Sequence, residues 1–201
     1  GMWFTAEDEA VRNRAMNQFL GLMDVAAEFQ ADINIGRLRG FVADDQTSEQ
    51  AEQNFLSCLT SLAEKAEELN IHILIEPVNR YEINYINSCF EGIQLLKKLN
   101  NPRVKLMPDV FHMNIEDQNI LEVFAKWIDY IGYIHFADSN RHAPGMGHLD
   151  FQSIVAVLHA SGYEGYVGIE ILPFPEPDAA AKQAAEYVLP IIEKYKEDLT
   201  L

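Results

Sequence analysis

Ile71-His72-Ile73-Leu74-Ile75-Glu76 decides how the rest of the chain reads. The first five residues form a short, nearly continuous apolar run, as expected of a strand buried on both faces. It stops at an acid. The pattern recurs downstream in Val104-Lys105-Leu106-Met107 with Asp109 just beyond, in Ile131-Gly132-Tyr133-Ile134-His135, and in Tyr166-Val167-Gly168-Ile169-Glu170. Upstream, a shorter β-type run from Asp32 to Ile35 ends at Gly36. Helical stripes alternate with these runs. The spacing predicts helices over Ser48–Leu69, Ser88–Leu99, Asn119–Trp127, Phe151–Ala160 and from a cap at Asp178 to about Tyr195. One more precedes them, from about Ala6 to Glu28, where Thr5 with Asp8 resembles a capping box.

Five strands, each followed by a helix, mean parallel βαβ units in one α/β domain over residues 1–201. The alternatives are a doubly wound sheet and a (β/α)₈-type barrel. No glycine-rich phosphate fingerprint follows any strand, which weakens the nucleotide-binding option.

Composition removes other classes. The chain has 201 residues, 48% of them hydrophobic, and a formal charge of −16. That composition is globular, and such a charge repels nucleic acid backbones, so no nucleic acid partner is expected. No apolar run approaches the length of a membrane span. Cys58 and Cys89 lack metal-ligand spacing and fit a reducing compartment, with the cytoplasm the expected location.

Four consecutive strands finish in a metal-ligating residue type: Glu76, Asp109, His135 and Glu170, separated by 33, 26 and 35 residues. Parallel barrels gather their C-terminal strand ends on one face, where these side chains can converge. Any one of them alone reads as a helix cap or an ion-pair partner. Three carboxylates together repel one another, and a cation is the simplest remedy. The donor set suits a divalent ion of hard to intermediate character: Mn²⁺, Mg²⁺, Co²⁺ or Zn²⁺. The loops that follow are rich in donors and acceptors, as a polyhydroxylated ligand needs, although a solvated loop accounts for Asp138 and His142 equally well. Arg37 and Arg39 lie at the same end, as substrate-phosphate contacts or as solvated or acid-paired arginines. His72, inside a strand, reads as a packed histidine.

The motifs EPVNRYE (76–82), DVFHMNIE (109–116), HFADSNRHAPGMGHLDF (135–151) and GIEIL (168–172) resemble the xylose isomerase-like sugar (phosphate) isomerase/epimerase family, and within it ketose 3-epimerases of the tagatose/psicose type. The resemblance implies that Glu76, Asp109, His135 and Glu170 are the four ligands of one divalent metal, most often Mn²⁺, Co²⁺ or Mg²⁺. It implies that Glu76 and Glu170 are also the proton-transferring carboxylates, and that Glu82, His112 and Arg141 hold the substrate's oxygens. The expected substrate is a small sugar or sugar phosphate. Epimerisation and aldose–ketose isomerisation need the same parts.

The resemblance also implies eight strands, of which the five here correspond to the fourth through eighth. The expected fold is therefore a partial TIM barrel with two open edges, whose activity the missing strands would weaken unless something replaces them. Five strands cannot close a barrel, and open edges invite pairing. A homo-oligomer, at least a dimer, is the expectation. The other classes are a non-catalytic remnant that binds metal or sugar, and an abasic-site endonuclease. The charge and the single histidine among the four ligands speak against the latter.

Overall fold

The computed structural model describes residues 1–196. Five parallel strands, β1 (Ile33–Asn34), β2 (Ile73–Ile75), β3 (Val104–Leu106), β4 (Tyr133–Phe136) and β5 (Tyr166–Ile169), lie in chain order. Seven helices surround them: α1 (Glu9–Glu28), α2 (Ser48–Leu69), α3 (Cys89–Leu99), α4 (Val110–Glu116), α5 (Ile120–Trp127), α6 (Phe151–Ala160) and α7 (Pro177–Lys196). The ladder is continuous from β1 to β3 and again from β4 to β5. Between β3 and β4 only two isolated bridges remain, Leu106 with Ile131 and Asp109 with His135. Pro108 accounts for this seam. It has no N–H to give the ladder, and its carbonyl accepts from the His135 amide at 2.9 Å. Among the described residues β1 and β5 do not pair, so the sheet is an open part of a barrel.

Strand parity sorts the side chains. Ile134 and Phe136 are fully buried beneath the helices, with Phe136 and Phe151 of α6 5.2 Å apart. The alternate residues, Tyr133 and His135, therefore face the barrel interior. The same parity links Leu74 to Glu76 and Gly168 to Glu170. A Cβ on Gly168 would lie 2.6 Å from the Tyr133 hydroxyl, so only glycine leaves that ring its place across the β4–β5 pair.

Helix starts differ from the sequence expectation in two places. Asp8 caps α1 alone, accepting from the Ala10 amide, while Thr5 is buried and donates its hydroxyl to the Phe41 carbonyl at 2.6 Å. At α7, Pro177 takes the first position and Asp178 lies inside the first turn, as proline's fixed φ favours. The segment after Asp109, read as a polar loop, is helix α4. His72 is half-exposed and pairs with Asp32 at 3.2 Å, so it is not packed in the core. No described helix is long and apolar enough to cross a membrane.

Candidate metal centre and substrate cavity

The C-terminal strand ends bring four side chains to one point. Glu76 follows β2, Asp109 caps α4 after β3, His135 lies in β4 and Glu170 follows β5. One ligand atom from each lies within 4.8 Å of all the others. Asp109 is fully buried, and its carboxylate accepts from the Phe111 amide at 2.9 Å. His135 Nδ1 lies 3.5 Å from Glu76 Oε1 and 3.3 Å from Glu170 Oε2. It is buried, yet it meets no partner in hydrogen-bonding geometry. A buried nitrogen without a partner, aimed between carboxylates, is what a metal ligand looks like from its neighbours' side. The donors present fit a divalent cation of the class named above.

The electrostatics show the crowding of acids. Burial pushes Asp109 up to about 7, with the Arg141 guanidinium pulling the other way. Burial alone would lower His135, but facing Glu170 and Glu76 raises it to about 9. Glu170 is drawn down to about 2, first by His135, against burial and with help from Arg141. The cluster thus joins a carboxyl held up by burial to an imidazole held up by the acids it faces.

The predicted substrate residues surround the cluster. Arg141 donates from Nη1 to Asp109 Oδ2 at 2.8 Å and from Nη2 to Glu170 Oε2 at 2.7 Å. Its guanidinium lies over the Phe111 ring, 4.7 Å from the centroid. His112 is buried, and burial together with Arg141 lowers its pKa, so the ring is neutral at physiological pH. Glu82 sits at the cavity wall. The cavity measures about 730 Å³, and its lining includes Glu76, His112, Arg141 and Glu170 together with Gly36, Arg37, Arg39, Gly40 and Phe41.

Two residues that sequence reasoning missed hold this arrangement. Asn79 is buried; its amide nitrogen lies 2.8 Å from His112 Nδ1 and 3.1 Å from Glu82 Oε1, while its oxygen accepts from the Tyr81 amide at 3.0 Å. That last bond fixes which way the amide points. With the amide so placed it donates to Nδ1, which puts the His112 proton on Nε2; Arg141 Nη1, itself a donor, lies 3.4 Å from that nitrogen and competes with this tautomer. Asn34, at the end of β1, donates to Glu76 Oε2 at 3.4 Å and accepts from the Gly36 amide at 2.9 Å. Each is an asparagine beside a turn, the one signal in the sequence.

Asp138, which a solvated loop would explain, is instead fully buried. Its carboxylate accepts from the amides of Ser139 (2.7 Å), Gly145 (2.8 Å) and Leu149 (3.1 Å), folding the 138–149 loop that carries Arg141. Arg141 itself has φ +63°, and its carbonyl accepts from the Leu172 amide.

Comparison with known proteins agrees with this geometry. The family model described as xylose isomerase-like TIM barrel matches residues 1–191. A D-psicose 3-epimerase of Enterocloster bolteae is 33% identical over 168 residues, covering 82% of this chain and 56% of that protein. An L-ribulose 3-epimerase of Methylomonas sp. is 35% identical over 123 residues, covering 61% of this chain and 43% of that protein. The chain thus spans about half the length of the curated relatives it matches. A solved L-ribulose 3-epimerase structure superposes with a TM-score of 0.87 at 21% identity, over 99% of this chain and 75% of the other, which speaks to the fold alone. The chain belongs to the xylose isomerase-like TIM barrel family.

Proposed function

We propose that this chain, as a single domain forming the C-terminal part of the family barrel, is a metal-dependent sugar or sugar-phosphate isomerase or epimerase. The observation that carries the reading is the convergence of Glu76, Asp109, His135 and Glu170 within 4.8 Å, with Glu76 and Glu170 also lining a cavity. These four would hold one divalent ion, with Mn²⁺ the first choice and Co²⁺, Mg²⁺ or Zn²⁺ the alternatives. Such an ion, when bound, polarises a carbonyl and offsets the negative charge that develops on its oxygen.

The remaining work falls to side chains. A proton on the carbon beside a carbonyl is too weakly acidic for an unaided carboxylate to remove. Glu76 or Glu170 takes that proton, and the other returns one from the opposite face, which inverts the centre. The same pair isomerises aldose and ketose if the proton returns to the neighbouring carbon. His112 donates as a neutral imidazole from Nε2 to the developing oxyanion, and Arg141 supplies a charged donor beside it. Glu82 accepts from a substrate hydroxyl. The relatives named as psicose and ribulose 3-epimerases support epimerisation of a ketose. Buried free thiols at Cys58 and Cys89 support a reducing, cytoplasmic setting. Association of at least two copies, with no nucleic acid or membrane partner, completes the reading.

The test is exchange of solvent deuterium into a panel of ketoses in the presence of Mn²⁺, followed by NMR. Exchange beside the carbonyl is expected, and Glu170→Gln, folded as judged by circular dichroism, is expected to abolish it. Turnover unchanged in Glu170→Gln overturns the assignment of the proton-transfer pair. Metal bound without exchange in any sugar reduces the chain to a binding remnant.

A further inference from the structure

The chain is strongly acidic, yet four of its seven arginines, Arg37, Arg39, Arg80 and Arg141, line the cavity that Glu76 and Glu170 of the candidate metal centre also line. Three of them have work to do within the protein. Arg141 binds Asp109 and Glu170. Arg80 is gripped by Glu116, whose carboxylate accepts from Nε at 2.9 Å and Nη2 at 2.8 Å. Arg39 is buried, and its Nη1 donates to the Glu76 carbonyl. Its Nε is buried without a partner. Arg37 is different. It lies exposed on the cavity wall, and among the described residues its side chain makes neither an ion pair nor a hydrogen bond.

The segment that carries Arg37 is fixed. Gly36 and Gly40 bracket a short 3₁₀ turn, with φ of +55° and +92°, values that suit glycine. The Gly36 amide donates to Asn34, the Phe4 amide to the Leu38 carbonyl, and the Ile35 amide to the Leu74 carbonyl. Trp3 packs on Phe41 at 5.1 Å. Two guanidinium groups on an anchored turn, one buried and short of a partner, the other facing an open cavity, form an anion receptor in a molecule whose overall field repels anions. At about 730 Å³ the cavity has room for a six-carbon sugar and a further group beyond it.

We infer that the substrate is a ketose bearing a phosphate ester at the end of its carbon chain remote from the metal centre, and that Arg37, backed by Arg39, receives that phosphate. The inference rests on the isomerase reading for its sugar and on the arginines alone for its charge.

The experiment compares D-fructose, D-fructose 6-phosphate and a hexulosonate (the same chain ending in a carboxylate) on the full chain with Mn²⁺. Calorimetric binding and deuterium exchange are both measured, for the wild type and for Arg37→Ala. The phosphate ester is expected to bind at least tenfold more tightly than the neutral sugar. Arg37→Ala is expected to weaken it at least tenfold more than it weakens the neutral sugar, and to flatten its dependence on salt. Equal binding of neutral and phosphorylated sugar, or equal losses in Arg37→Ala, overturns the proposal. Preference for the carboxylate overturns the phosphate assignment in favour of a sugar acid. Should no sugar exchange deuterium, the binding arm still decides: a phosphate preference dependent on Arg37 upholds the anion receptor while the isomerase reading falls.

Discussion

At the scale of single residues, the candidate site depends on side chains outside the four ligand-type groups. Asn79 is the clearest case. Its amide sets the tautomer of His112, and with it the direction in which a neutral imidazole can donate. Removing such an outer hydrogen bond costs a ligand or donor about ten- to a hundredfold in activity or affinity. Asn79→Ala is expected to lower kcat/KM by about that factor, with the ¹⁵N spectrum of His112 changing from one tautomer to a mixture. An unchanged spectrum removes Asn79 from this role. Asp138 works on the loop instead. Burial would raise its pKa, but the amides of Leu149, Ser139, Gly147 and Gly145 outweigh it and hold the carboxyl below its ordinary value of 3.8. An acid whose folded pKa is depressed stabilises the fold fully above the unfolded value and loses that contribution as pH falls through the folded one. Asp138→Asn is therefore expected to cost about 2–4 kcal/mol at pH 7, since it strips charge-assisted bonds from buried amides. Urea titrations should show the gap between wild type and variant closing below about pH 4. A gap that is constant from pH 7 to pH 3 contradicts the account.

At the scale of elements, Asp109 serves two purposes that a substitution can separate. Its carboxylate caps α4, and it is one of the four ligand-type groups. Asparagine caps a helix about as well as aspartate but does not carry the charge a divalent cation wants. Burial already holds the Asp109 carboxyl up to about 7, so its charged form is costly in place. Asp109→Asn is expected to leave the apo protein within about 1 kcal/mol of wild type. In wild type, Mn²⁺ at a hundred times its Kd adds about 2.7 kcal/mol, roughly 5–10 °C in Tm for a chain of this size. Thermal melts of Asp109→Asn should lack most of that increment; if they retain it, Asp109 is a cap alone. Helix α4 also marks where the sequence became unreadable. It has seven residues, with Val110 and Met113 its only buried apolar side chains. Two apolar positions are too few to display a helical period, and the polar residues between them read as loop. Helix α2 shows the contrary case: its buried Phe55, Leu59, Leu62 and Ala66 repeat over about three turns, and its ends lie where the spacing places them. The meeting of the four strand-end groups was legible because β-strand parity and a repeating unit dictate where they fall. The role of Asn79 was not, because its partner is a ring 33 residues away; Arg39, read as a phosphate contact or a solvated or acid-paired arginine, instead donates to a carbonyl 37 residues away.

At the scale of the whole molecule, the open sheet is the feature that stability must answer for. Among the described residues β5 pairs with β4 alone. Tyr166 is 79% exposed, and Ile169, Leu172 and Phe174 follow it at the surface. An apolar groove of about 420 Å³ runs between this strand and α7, lined by Val167, Ile169, Ala184, Val188 and others. Leu22 and Val25 of α1, and Phe29 at its C-terminal cap, are exposed as well. An unpaired strand edge with apolar flanks is a template for another strand, and patches of this kind mark interaction sites. A second copy of the chain offers both missing partners, an unpaired parallel edge at β1 and an apolar helix face at α1. Sedimentation equilibrium at micromolar concentration is therefore expected to give at least a dimer. Replacing Tyr166 with lysine places a charge on the β5 edge without entering the metal cluster, and should weaken association about tenfold or more, because a desolvated charge at an interface costs over 1.4 kcal/mol. Loss of the dimer should also lower Tm in a concentration-dependent way, as mass action requires. A monomer with a sharp, concentration-independent melt would show that the α-helical layer alone supports the open sheet, and the paired-edge account would fall while the metal centre stood.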